Sequence, residues 1–162
     1  MLGGGDVDTA TVHDNTSQLD QAIRLYIYRC FAETGKAARI ADVARALDQS
    51  PSAVQDAYRR LADGRAIVLA PGTLNIWMAH PFSAIPTPYH VQTNRGSYWA
   101  NCAWDALNIA ALLGVDAQTR VHCPDCNTEL ALVIQSGTLQ STEDVIHFVV
   151  PPRHFWENIG FT

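Results

Sequence analysis

No apolar run in this 162-residue chain approaches the roughly 20 residues of a membrane span, not even the stretch around Ile109 to Leu113. No secretory leader is expected either. Met1-Leu2-Gly3-Gly4-Gly5-Asp6 has neither a basic start nor an apolar stretch, so the protein is expected in the cytoplasm, with no membrane partner. Nor is there an excess of positive charge. Formal charge is -3 over residues 1–16, +2 over 17–66 and -4 over 67–162, a net of -5, and no segment makes a basic nucleic-acid surface. Internal repeats and low-complexity blocks are also lacking. What is present is a hydrophobic fraction of 48% against 17% charge, enough for one ordinary core or two small lobes sharing an interface.

The four cysteines, Cys30, Cys102, Cys123 and Cys126, stand in a chain without a leader. Cytosolic reductants keep such thiols open, so chemistry or metal binding takes precedence over disulfides and each must be judged singly.

Residues 1–16 are rich in Gly, Asp and Thr without apolar period and read as a disordered tail. From Leu19 the positions Leu19, Ala22, Ile23, Tyr26, Ile27, Cys30 and Phe31 trace one helical face, and Gly35 supplies a stop. Ile40, Val43, Ala44 and Leu47 suggest a second, short helix. A third opens with Ser50 as cap and Pro51 in its first turn, buries Val54, Ala57, Tyr58 and Leu61, and ends at Gly64. Ile67-Val68-Leu69, a Pro71-Gly72 turn and Leu74 to Trp77 then form a hairpin. Three helices followed by a hairpin make a winged-helix-like lobe over residues 17–78. Such a lobe reads DNA through its third helix, but Arg59 and Arg60 are offset there by Asp56 and Asp63, so DNA is not the expected partner.

The prolines between Ala79 and Val91 forbid a helix and predict an extended connecting segment over 79–97. A mixed α/β lobe over 98–162 follows. Its helix runs from about Trp99 or Asn101 to Leu113, closed by Gly114, and Thr119–Val121, Leu130–Ile134 and Val145–Val150 read as strands. The fold class is therefore α+β.

Cys102 and Asp105, three apart at the start of that helix, fall on one helical face and share whatever lies in front of it. A thiol in the first turn meets unpaired N–H groups and the positive end of the helix dipole, which predicts a lowered pKa, opposed by the neighbouring carboxylate. The plainer alternative makes Cys102 a small core residue and Asp105 a first-turn charge. His122-Cys123-Pro124-Asp125-Cys126 has the spacing of half a zinc site, but His147 and His154 lack paired spacing to complete it, so structural zinc is not expected. A redox Cys-x-x-Cys opens a helix; this one lies between two strands and reads as a reduced turn, able to pick up a thiophilic metal. Cys30 sits on the core stripe of the first helix. His80 and His90 flank the proline segment and are read as surface or hydrogen-bonded residues ahead of cleft-lining ones. Trp99, Trp104 and Trp156 serve either an apolar pocket or ordinary core packing.

Tyr98-Trp99-Ala100-Asn101-Cys102-Ala103-Trp104-Asp105-Ala106-Leu107 resembles the catalytic-helix motif of the organomercurial (alkylmercury) lyase family. The winged-helix-like lobe, the Pro81-Phe82-Ser83 to Pro86-Thr87 segment, the Cys-Pro-Asp-Cys turn and Val149-Val150-Pro151-Pro152 leading to Trp156 accompany it in order. The resemblance covers about residues 19–162 and is strongest over about 78–126. It implies an enzyme without organic cofactor that cleaves a carbon–mercury bond, mercury being metal of both substrate and product. Cys102 is then the thiolate nucleophile and mercury ligand, and Asp105 relays a proton to the departing carbon. Soft sulfur suits a soft metal, and sulfur donation weakens the metal–carbon bond so that a nearby carboxylic acid, favoured by a partly apolar pocket, completes protonolysis. The family's second catalytic cysteine comes just downstream of the segment matching Trp156 to Thr162, and no residue here fills that role. The alternatives are a lyase-fold protein that sequesters mercury or another soft metal without turnover, and a winged-helix metal-responsive DNA-binding regulator.

Overall fold

The computed structural model describes residues 9–140 and 143–161. Helix α1 (Thr9–Thr34) is followed by α2 (Ile40–Ala46) and α3 (Pro51–Asp63), then by strands β1 (Val68–Leu69), β2 (Ile76–Ala79), β3 (Phe82–Ser83), β4 (His90–Thr93) and β5 (Gly96–Ala100). After α4 (Ala103–Leu113) come β6 (Ala117–His122), β7 (Glu129–Gln135), β8 (Thr138–Leu139) and a short 3-10 helix (Pro152–Glu157). All eight strands join one antiparallel sheet in the order β1-β2-β3-β5-β4-β6-β7-β8. The helix-rich N-terminal part and the C-terminal part therefore share a sheet, and the proline segment supplies its middle through β3 and β4.

Local chemistry accounts for the first helices. Ser50 caps α3 by accepting from the Ala53 N–H at 3.1 Å, Pro51 occupies the first turn, and the buried positions are those of the apolar stripe, Val54, Ala57, Tyr58 and Leu61. Gly35, at φ +66°, ends α1 in the left-handed region; its backbone lies so close to β5 that a Cβ there would meet the Ser97 carbonyl oxygen at 2.7 Å. The expected tail differs in part. The backbone is helical from Thr9, while residues 1–8 lie outside the described residues. Once the packed stripe has nucleated the helix, each added residue gains a hydrogen bond, so the helix extends beyond its apolar face.

The core forms where α1 meets the sheet. Ile23, Ile27 and Phe31 are fully buried; the Phe31 ring stacks on Phe82 of β3 at 5.3 Å, and Phe82 contacts Tyr98 of β5 at 5.7 Å. Tyr98 in turn donates its hydroxyl to the Ala32 carbonyl at 2.8 Å. Ala106, Ile109 and Ala110 carry α4 into the same core. Along β6, Ala117, Thr119 and Val121 are buried while Gln118, Arg120 and His122 are exposed, the alternation of a sheet packed on one face only.

Two expected elements are corrected. Residues 99–101 do not begin α4, because Gly96–Ala100 pairs with both β3 and β4 and is held extended by its neighbours on each side. Val145–Val150 is not a strand: it pairs with no strand of the sheet, and with Val145 and Val149 exposed it has no buried face to hold it extended against one. No helix among the described residues is long and apolar enough to cross a membrane.

Candidate active site

Strand β5 ends at Ala100, and the chain turns through Asn101 and Cys102 into α4. Cys102 is the N-cap: its backbone is extended (φ -150°, ψ 178°), and its sulfur accepts from the Asp105 N–H at 3.4 Å. The thiol thus takes the capping position usually held by a hydroxyl or carboxylate, which orients it across the first turn of the helix. Cys102 and Asp105 line the same cavity, of about 390 Å³. Met78, Tyr89, Trp104, Phe148, Phe155 and Trp156 give it mostly apolar walls. Its volume is at the small end of ligand pockets and suits a compact organic group.

Asp105 is 8% exposed and is held by two side chains. Asn101 donates from Nδ2 to Asp105 Oδ2 at 3.0 Å, and His80 Nδ1 lies 3.3 Å from the same oxygen. Asn101 Nδ2 is also 3.2 Å from the Pro81 carbonyl, 3.3 Å from the Phe82 carbonyl and 3.3 Å from His80 Nδ1. This one amide therefore ties α4, the β2–β3 turn and the carboxylate together. Its Oδ1 is buried without a hydrogen-bond partner among the described residues. The N-terminal part supports the arrangement: Tyr28 of α1 donates its hydroxyl to the His80 carbonyl at 3.0 Å, and the Arg65 guanidinium lies 5.4 Å from the Trp156 ring centroid.

The environment of the sulfur corrects the expected lowered pKa. Burial, and after it the Asp105 charge, push the Cys102 thiol above its ordinary range; the Asp105 and Trp104 N–H groups pull the other way and are outweighed. Burial also raises the phenol of Tyr89, which shares the cavity and remains neutral.

The other candidates are dispersed. Cys123 and Cys126 lie in the β6–β7 turn and do not line the main cavity, although Pro124 between them faces an adjoining hollow of about 300 Å³ that Cys102 also lines. Hydrogen bonding to Thr128 draws the exposed Cys126 thiol below its ordinary range. His147 faces the adjoining hollow, His122 is exposed at the end of β6, and His154 pairs with Glu157. No group of three or more His, Cys, Asp or Glu side chains able to hold a metal ion occurs among the described residues. Cys30 is half-buried against the core beside Thr34. Trp104 and Trp156 line the cavity, whereas Trp99 faces away and packs on His90, its cross-strand neighbour, at 4.4 Å.

His80 and Asn101 are the residues that sequence reasoning undervalued. For Asn101 a signal existed, since Asn and Asp four apart at a helix start are within side-chain reach. His80 gave none, being brought to Asp105 from 25 residues away by the sheet.

The alkylmercury lyase family model matches residues 82–162, which is half of the chain. The chain belongs to the alkylmercury lyase family. A similar solved structure is that of the mercury-bound form of MerB2, with a TM-score of 0.59 and 19% identity over 79% of this chain and 66% of that one. This likeness supports the shared mixed helix and antiparallel-sheet fold, and the chain spans just under two thirds of the MerB2 chain. Comparison with curated proteins finds no match.

Proposed function

We propose that this member of the alkylmercury lyase family cleaves a carbon–mercury bond, with Cys102 as nucleophile and Asp105 as proton donor. The observation that carries the reading is the sulfur and the carboxyl group, one helical turn apart, lining one apolar-walled cavity. The Cys102 thiol passes its proton to the Asp105 carboxylate as its sulfur displaces the counter-ligand of an organomercury cation and forms a sulfur–mercury bond. Asp105 in its acid form then protonates the carbon, the carbon–mercury bond breaks, the hydrocarbon leaves, and Hg²⁺ stays on sulfur while Asp105 becomes carboxylate. Cys102 is the only cysteine lining the main cavity among the described residues, and it supplies the first sulfur ligand. Asn101 and His80 hold Asp105 toward the metal-bound carbon.

In the same reading the winged-helix-like N-terminal part serves as a buttress rather than a DNA reader. In support, Arg59 is bound by Asp56 and Arg60 by Asp20, while Tyr28 and Arg65 brace residues of the cavity wall. The test is incubation of the protein with methyl- or phenylmercury and a monothiol, with methane or benzene measured in the headspace. Hydrocarbon release that disappears on Cys102→Ser and on Asp105→Asn is expected. Tight mercury capture without hydrocarbon would replace the lyase with a sequestering protein.

A further inference from the structure

The Cys123/Cys126 pair has no part in the chemistry above, yet the turn that carries it is well defined. The Cys123 N–H donates to the Thr128 carbonyl at 2.9 Å, and the Asn127 N–H donates to the Cys123 carbonyl at 2.9 Å. Asn127 takes the left-handed conformation, φ +58°, that lets the chain reverse tightly between β6 and β7. Both thiols are free and stand three residues apart in the turn that these two hydrogen bonds close. Cys126 Sγ lies 3.2 Å from Thr128 Oγ1. Cys126 is exposed and Cys123 half-buried, so the pair is open to solvent on one side. On the other side Pro124 faces the hollow that Cys102, Tyr89, Phe148, Phe155 and Phe161 also line, four of these five being aromatic walls shared with the main cavity.

We propose that Cys123 and Cys126 form a second, two-sulfur site for a thiophilic metal ion, Hg²⁺ above all, beside the hollow that adjoins Cys102. Two ligands on a preformed turn suit an ion content with two sulfurs. Zinc requires four ligands, and the described residues place no third His, Cys, Asp or Glu with this pair. Binding is balanced as one Hg²⁺ taken up by two thiols, two S–H bonds breaking, two sulfur–mercury bonds forming, and two protons passing to solvent. The turn holds the second sulfur next to the first, so the second bond forms at high effective concentration and the ion resists removal by monothiols.

The experiment uses the full chain carrying Cys30→Ser and Cys102→Ser, which leaves only this pair. Mercuric chloride is added in excess glutathione, and the mercury retained after desalting is counted. One retained Hg²⁺ per chain is expected. Adding either Cys123→Ala or Cys126→Ala should weaken retention roughly 10²-fold or more, as expected for loss of a chelating partner. No retention by the starting variant, with an unchanged urea midpoint showing that it is folded, overturns the site; so does retention indifferent to Cys126→Ala. Because Cys102 is absent and no organomercurial is used, failure here is separate from failure of the lyase reading.

Discussion

Replacing Asn101 by alanine tests the positioning of Asp105. The side-chain amide has two N–H bonds and faces three oxygen acceptors, the Pro81 and Phe82 carbonyls and, nearest at 3.0 Å, Asp105 Oδ2. Truncation removes one hydrogen bond to a charged group, about 1.5–3 kcal/mol, and one shared between carbonyls, about 0.5–1.5 kcal/mol. It also removes Oδ1, a buried oxygen without a partner, and so relieves a desolvation penalty of about 1–3 kcal/mol. Taking midpoints, the net loss of stability is only about 1 kcal/mol, because the same residue carries both the bonds and the penalty. The effect on catalysis is not offset in this way. Asp105 keeps only His80 as a side-chain partner, and misplacement of a reacting group by about 1 Å costs roughly 10²-fold in rate. Urea denaturation followed by tryptophan fluorescence, beside single-turnover benzene release from phenylmercury, separates the two quantities. A stability loss above about 4 kcal/mol shows that Oδ1 is not a burden; turnover at the original rate shows that Asn101 does not position the carboxylate.

Four further outcomes are expected. With the Cys102 thiol raised by burial and by Asp105, its alkylation by iodoacetamide should quicken as pH rises into the alkaline range. Asp105→Asn should make that alkylation faster at neutral pH while stopping hydrocarbon release, and slower alkylation in this variant refutes the assigned electrostatics. Gly160→Ala would put a Cβ 2.5 Å from Cη2 and 3.1 Å from Cζ3 of the stiff Trp77 ring, a clash of the kind that costs about 1–3 kcal/mol. Since Gly160 lines the cavity, relief by lifting this segment should raise KM more than it lowers kcat, and unchanged kinetics and stability would show that the contact yields freely. Phe82→Ala removes the ring between Phe31 and Tyr98 and should cost about 3–5 kcal/mol, read as a lowered urea midpoint; a loss under about 1 kcal/mol contradicts the central place given to this stack.

Sequence alone determined the features that act over a few residues. The apolar stripe of α1, the Ser50-Pro51 start of α3, the Gly35 stop and the one-turn separation of Cys102 from Asp105 depend on helical period and on caps, which are local. The family was legible for the same reason, its motif being contiguous from Tyr98 to Leu107. Tertiary structure decided the rest. Gly96–Ala100 is extended because two neighbouring strands claim its hydrogen bonds, and Val145–Val150 is irregular because its valines Val145 and Val149 find no core to pack on. His80 joins Asp105 only because sheet pairing brings its turn to the start of α4, and Cys102 loses the easy ionisation of an exposed helix start because the walls around it exclude water. Pairing and burial act between residues far apart in the chain, so no short window of sequence contains them.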